Sequence, residues 1–506
     1  MVDILKSKED HSASHTFDLA SLLANTQRRV NPKTWTTICN GLSISSTDAD
    51  SEASQVNKLA EADTGRKHNR RRENLIRNGY ALVDDTFDVQ LVKEGIEALH
   101  KQKIPATFIL LFDETWQLAC KSKSVLEQAS HKKNVFNYDL LAWYILPGSP
   151  GFSPHRDRQP DDAPSTFHSY DQQAKFITNW IALSDATPEN SCLYVIPKPY
   201  DPGYTTGDID SVAEDNGFKD GDNAETGSGA DPLHRALCTK ESFQHIRCLP
   251  RKAGQSILFT HRIIHWGSQG DPPAPSDDDD DDIGSTSSET PVSPRIAISF
   301  VASDPDYEAP LLVNHTKYFC TNLNEDNSID TPQFPPLHIR LLLVCAQLLI
   351  YYQRFDLEKS VIKACYEYCK QHDEELEESY RCKVFVEFVK AMKEQNEATD
   401  KNKNSTNIDT TNTATAAAKT CDDENDNDDD EDAMLEEMLN AEAGGYGVFE
   451  DDYDDLEQEG DDYNDDGGDD DDDEELEGED VDLFGTKRKS ENMELSVKKK
   501  AKTFIS

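Results

Sequence analysis

The chain has 506 residues and a formal charge of -47 at pH 7, but residues 421–483 alone hold 34 acidic side chains and no Lys or Arg. That length admits two or three domains, and so acidic a balance argues against direct nucleic-acid binding through a broad basic surface. The 11 cysteines include no Cys-x-x-Cys pair, so zinc ribbons and disulfide frameworks lack support and reduced thiols are expected.

Residues 1–65 are rich in Ser, Thr, Asp and Asn and show no sustained apolar period, which predicts a poorly ordered leader with at most one short helix. Met1 to Asp18 lacks the apolar core of a signal peptide, so the protein is not expected to be secreted. Arg66 to Arg72 is a basic cluster that reads as the solvated first turns of a helix or as a localisation or phosphate-binding element. The helix is expected to end on Gly79, a residue suited to a left-handed cap, and a strand to begin at Tyr80. Helical patterns follow at Val89 to Gln102 and Glu114 to Leu126, the second with Asp113 as its N-cap. Phe136 to Leu146 reads as the first long strand.

Beyond it, two Pro/Gly turns lead to His155-Arg156-Asp157. On extended backbone, residues two apart leave from the same face, so this imidazole and carboxylate supply two thirds of a facial metal triad. A second histidine from a distant strand would complete the arrangement of non-haem Fe(II) oxygenases. Strands are predicted at Phe176 to Leu183, Ser191 to Pro197, Ile246 to Leu249, Ser256 to Trp266 and Arg295 to Ala302. Many short strands with Pro/Gly turns favour a sandwich or barrel. Tyr200 to Pro232 reads as a lid or insertion, and Asp277 to Pro294 as an acidic insertion.

The stretch Gly254 to Ser268 carries both His261 and His265. Four apart on one strand, they would face the same side, and alternation does not choose between them. Arg295 stands at the head of an apolar strand. A buried arginine there needs a carboxylate, and the C5 carboxylate of 2-oxoglutarate would fit a bidentate fork.

From Leu337 to about Gln395 the apolar period becomes helical. Leu341 to Tyr352 is the longest apolar run and is too short to span a bilayer. Cys365 and Cys369 share a helical face, where core filling competes with a metal or redox pair. Residues 397–506 are expected to be a disordered acidic tail. Within it Ala433 to Leu439 could form a short amphipathic helix for a partner. Lys487-Arg488-Lys489 and Lys498 to Lys502 are spaced like a bipartite nuclear address. The ending Phe504-Ile505-Ser506 does not match the Ser-Lys-Leu peroxisomal address, so the expected location is nuclear or cytoplasmic.

Taken together, Gly79-Tyr80, His155-x-Asp157, Trp180-x-Ala182-Leu183, Asp185-Ala186-Thr187-x-Glu189-Asn190, Tyr194-x-Ile196-Pro197, His265-Trp266-Gly267-Ser268 and Arg295 resemble the phytanoyl-CoA dioxygenase family over roughly residues 73–305. The resemblance implies a double-stranded β-helix (jelly-roll) core with flanking helices, followed by the helical segment and the acidic tail. It implies an Fe(II)- and 2-oxoglutarate-dependent dioxygenase that hydroxylates its substrate and releases succinate and CO2. His155, Asp157 and His265 match the family's iron ligands; Arg295 matches its co-substrate arginine, and Trp180 falls near that pocket. Because the carboxylate of Asp157 is kept, hydroxylation is favoured over halogenation. The usual Pro-Gly-Ser-His is replaced by Pro197-Lys198-Pro199-Tyr200.

The expected organisation is a leader at 1–65, an oxygenase domain at 66–320 with its acidic insertion at about 270–293, a helical segment at 321–396 and the tail at 397–506. The expected partner is a small-molecule or lipid-like substrate, with no membrane span. A basic protein could dock on the acidic tail. The alternative expectation is a non-catalytic acidic nuclear scaffold on a degenerate oxygenase fold, binding basic partners such as histones.

Overall fold

A computed structural model of the chain describes residues 17–45, 64–149, 151–158, 163–207, 232–272, 292–318 and 334–406. The acidic stretches, the Ala433 to Leu439 segment and both lysine-rich clusters expected to act in partner binding or import lie outside these residues.

The core is mainly sheet. Among the described residues nine strands are formed: β1 (Tyr80–Val83), β2 (Val135–Phe136), β3 (Leu141–Ile145), β4 (Phe176–Ala182), β5 (Leu193–Ile196), β6 (Arg247–Leu249), β7 (Ser256–Thr260), β8 (Ile264–Gly267) and β9 (Arg295–Ser303). They make two antiparallel sheets. The larger runs β1-β7-β4-β9-β2, with β3 also on β9; the smaller runs β6-β5-β8.

The helices are α1 (Leu19–Ala24), α2 (Thr26–Arg29), α3 (Pro32–Ile38), α4 (Thr64–Asn78), α5 (Gln90–Lys101), α6 (Asp113–Ala129), α7 (Gly203–Thr206), α8 (Pro232–Ala236), α9 (Leu337–Ile350), α10 (Lys359–Gln371) and α11 (Glu378–Thr406). Among the described residues no helix is long and apolar enough to cross a membrane.

The period-two alternation of the large sheet divides it into two faces. On β4, Phe176, Thr178 and Trp180 line an internal cavity, as do Arg295, Ser299 and Val301 on β9. The alternate residues turn to the helical layer. Asn179 donates from Nδ2 to the Ser122 hydroxyl of α6 at 2.8 Å, and Ile296, Ile298 and Phe300 are fully buried.

Several local expectations are corrected. Phe136 to Leu146 is not one strand. Tyr138 takes a positive φ of 70°, and the chain breaks between β2 and β3. The Asn137 amide there donates to the Ser303 hydroxyl at 2.6 Å, so tertiary contacts outweigh strand propensity. Asp113 does not cap its helix: Phe112 holds that place without a side-chain bond. The Asp113 carboxylate instead accepts from the Ser45 amide at 2.8 Å and pairs with Arg340 at 2.7 Å. Residues 17–45 form three short helices where one at most is expected. Side chains of Asp18, Asn25 and Asn31 accept amide hydrogens at their starts. Their apolar residues, Leu22, Leu23 and Trp35, join one core that also takes in Cys345, Cys365 and Cys369. Arg29 anchors this leader to α10, lying 4.5 Å from the Tyr368 ring and donating to Gln371 at 2.6 Å.

Gly79 ends α4 as expected, with φ at +79° and its amide donating to the Leu75 carbonyl at 2.9 Å. In the basic cluster before it, Arg71 is buried and paired with Asp85, so that arginine is structural rather than solvated.

Candidate metal centre and its cavity

The 254–268 stretch is two strands, not one. β7 ends at Thr260 in the large sheet and β8 begins at Ile264 in the small one. The His261–Ile263 turn between them is held by the buried Arg262, which donates to the Gly203 carbonyl at 2.7 Å and to that of Tyr204 at 3.2 Å. His261 and His265 therefore do not share a face.

The His261 ring is fully buried between Phe167, Phe176 and Tyr307 at centroid distances of 5.5–6.2 Å. Burial pushes its pKa down to about 3. His265, on β8, points into the cavity instead.

Residues 152–158 run antiparallel beside β8 and extend the small sheet. The Gly267 amide donates to the Phe152 carbonyl at 3.1 Å, and His155 and His265 form an isolated antiparallel bridge. Close packing here demands glycine at 151, where a Cβ would lie 2.1 Å from the Gly267 carbonyl oxygen.

Extended backbone then sends His155 and Asp157 to the cavity and Arg156 to the opposite side. There Arg156 forms a two-pronged pair with buried Asp201 at 2.6 and 2.9 Å. Residue types alone did not reveal this anchor, although an arginine between two candidate ligands on a strand must face away from them.

Ligand-type atoms of His155, Asp157 and His265 all lie within 4.8 Å of one another, and no other such group of three occurs among the described residues. Asp157 Oδ1 sits 3.8 Å from His155 Nε2 and 3.5 Å from His265 Nε2. The other nitrogen of each ring faces a backbone carbonyl: His155 Nδ1 that of Ser153 at 2.7 Å, His265 Nδ1 that of Ile263 at 3.2 Å. With the proton on Nδ1, both Nε2 lone pairs are free and aimed at the carboxylate. The Thr178 hydroxyl donates to Asp157 Oδ2 at 3.0 Å and fixes the rotation of that carboxylate.

Burial, then the neighbouring His265, pushes the His155 pKa down to about 4. Burial alone would raise Asp157, but the two imidazoles, Arg158 and the Thr178 hydroxyl hold it below its usual value. A neutral imidazole and an ionised carboxylate are the forms that bind a divalent metal.

The cavity has a volume of about 90 Å³. Arg295 lines it while being only 1 % exposed, and its Nε and Nη2 atoms are buried without hydrogen-bond partners. Its guanidinium carbon lies 5.7 Å from the Trp180 ring centre, and burial lowers its pKa to about 10, which leaves it charged at neutral pH. A buried cation with unsatisfied donors is costly unless an anion completes it. The structure thus brings all five sequence-predicted residues (His155, Asp157, His265, Arg295 and Trp180) to one cavity.

It also brings residues that the sequence reading missed. Arg158 donates to the Asp157 carbonyl at 2.8 Å and pairs with Asp139 at 3.3 Å and Glu308 at 3.1 Å. Tyr351 and Arg354, from the end of α9 and the turn after it, form part of the wall. No local pattern marks them, because they reach the site only through packing of the helical segment.

The phytanoyl-CoA dioxygenase (PhyH) family model matches residues 56–270, which bears out the resemblance over a stretch containing His155, Asp157 and His265. No curated protein matches the chain. Among solved structures, similarity is found to the non-heme alpha ketoglutarate dependent epimerase SnoN from nogalamycin biosynthesis (16% identity, 47% of this chain and 84% of that one, TM-score 0.30). The carbocyclase SnoK from the same biosynthesis gives 16% identity over 57% of this chain and 98% of that one, with a TM-score of 0.31. EctD from S. alaskensis, solved with 2-oxoglutarate and 5-hydroxyectoine, gives 14% identity over 50% and 80%, with a TM-score of 0.26.

Proposed function

We propose that this chain is an Fe(II)- and 2-oxoglutarate-dependent oxygenase that hydroxylates a small molecule, built on a double-stranded β-helix formed by the two sheets. The observation that carries this reading is the placement of the unpaired, buried Arg295 in the same cavity as the His155, Asp157 and His265 cluster.

The donor set fits the cofactor. Two imidazole nitrogens and one carboxylate suit iron(II) and leave open positions for co-substrate and oxygen. Arg295 supplies a preorganised two-donor fork for the distal carboxylate of 2-oxoglutarate, with Trp180 as a flat wall beneath it. When bound, iron and 2-oxoglutarate would supply the oxidising power for attack on an unactivated C–H bond.

The chain's own residues do the rest. The Ser153 and Ile263 carbonyls fix the imidazole tautomers, and Thr178 fixes the carboxylate. Arg156 with Asp201 holds the ligand-bearing strand from behind. Phe152, Phe176 and Phe259 line the cavity with apolar surface and limit water there.

The test is succinate formation from 2-oxoglutarate by purified protein with Fe(II). His155→Ala and Asp157→Ala should each abolish it without unfolding the chain. Unchanged turnover in either variant would refute the assignment.

A further inference from the structure

Three arginines line the cavity, and their partners differ. Arg158 is committed to Asp139 and Glu308. Arg295 is assigned above to the co-substrate. Arg354 remains. Its guanidinium has no carboxylate or hydrogen-bond partner among the described residues; it rests on two aromatic faces, 5.4 Å from the Phe152 ring centre and 5.2 Å from that of Tyr351.

This support is rigid. The Tyr351 hydroxyl donates to Asp139 at 2.8 Å. Phe152 packs edge-on against Trp143 at 4.7 Å, and Trp143 stacks on Phe355 at 5.9 Å with 10° between the planes. Arg354 is itself exposed, so it stands at the mouth while Arg295 lies deep. It lines the same cavity as His155, Asp157 and His265.

We propose that Arg354 anchors an oxyanion of the primary substrate, so that this site takes an organic carboxylate or phosphate ester with an apolar body lying along Trp143 and Phe152. The assignment rests on the oxygenase reading and deepens it. 2-Oxoglutarate has two carboxylates, one for the metal and one for Arg295, which leaves the third positive group for another molecule.

The experiment uses the full chain loaded with Mn(II), which holds the site without turnover. Sodium octanoate, octyl phosphate, octylamine and 1-octanol are titrated by calorimetry, with and without saturating 2-oxoglutarate. Octanoate or octyl phosphate should bind, while octanol and octylamine should bind at least tenfold more weakly. The tighter of the two anions identifies the head group. Arg354→Ala should weaken that anion about 10- to 100-fold, the loss expected for a charge-assisted hydrogen bond. Arg354→Lys should restore most of the binding, and Arg354→Glu should turn the preference toward octylamine. A thermal melt checks that each variant is folded.

The proposal is overturned if neither anion binds, if octanol binds as well as octanoate, or if Arg354→Ala binds the anion like the parent chain. It is also overturned if Arg354→Ala, rather than Arg295→Ala, loses 2-oxoglutarate. If the parent chain fails to bind 2-oxoglutarate, the oxygenase reading falls. The octanoate titration without co-substrate then still decides the role of Arg354.

Discussion

His155 and His265 exchange both of their backbone hydrogen bonds, His155 N to His265 O at 3.1 Å and His265 N to His155 O at 3.0 Å. The two imidazoles leave a directly opposed antiparallel pair on the same face, with ring centres 4.4 Å apart. Backbone pairing, rather than side-chain reach, sets the spacing of the cluster.

That pairing depends on Gly151. A methyl group there would strike the backbone of Gly267, which continues the same strand as His265. Gly151→Ala should push the two segments apart, cost about 1–3 kcal/mol of stability and weaken metal binding more than tenfold. Mn(II) titration with a thermal melt checks both; a variant that binds metal like the parent chain would remove Gly151 from this role.

His265 and His261 are separable by metal content. Elemental analysis after reconstitution with Fe(II) should find His265→Ala essentially empty. His261→Leu should retain close to one equivalent, because its ring lies in a separate aromatic packet. The reverse pattern would assign the metal to His261.

Arg295→Met should separate stability from binding. Removing a buried cation whose donors are unsatisfied should raise the stability of the ligand-free protein, by about 1–4 kcal/mol where the replacement packs well. The same change should abolish 2-oxoglutarate binding. Chemical denaturation and calorimetry give the two values; a destabilised variant would mean that Arg295 is paired in the free protein.

Glu308 sets an acid limit. Burial raises its carboxyl, but Arg158 and then Lys383 outweigh that and hold its pKa at about 2, against an ordinary 4.5. Its folded value is depressed, so its contribution is complete above pH 4.5 and is lost as the pH falls toward 2. The shift corresponds to about 3 kcal/mol at most. Denaturation from pH 6 to pH 3 should show a steeper loss for the parent chain than for Glu308→Gln; equal slopes would place the acid sensitivity elsewhere.

Much of the core was legible because its signals are local. A run rich in aromatic and β-branched residues marks Phe176 to Leu183 as a strand, and the positive φ needed after α4 marks Gly79. The separation of β7 from β8 was not legible. His261 and His265 have the same residue type and flanks of similar character, and only the pairing of Thr260 with the large sheet and of Ile264 with the small one divides them. Tyr351 and Arg354 were invisible as cavity residues for the same kind of reason.

By itself, the sequence determined which side chains were chemically able to form a metal and oxyanion site, since residue type and two-residue spacing are properties of a short stretch. Only the tertiary structure decided which of two histidines joins His155 and Asp157, and which arginines are left without a carboxylate. Those outcomes depend on strand pairing and helix packing between segments far apart in the chain, where burial makes an unpaired charge costly and a matched one stable.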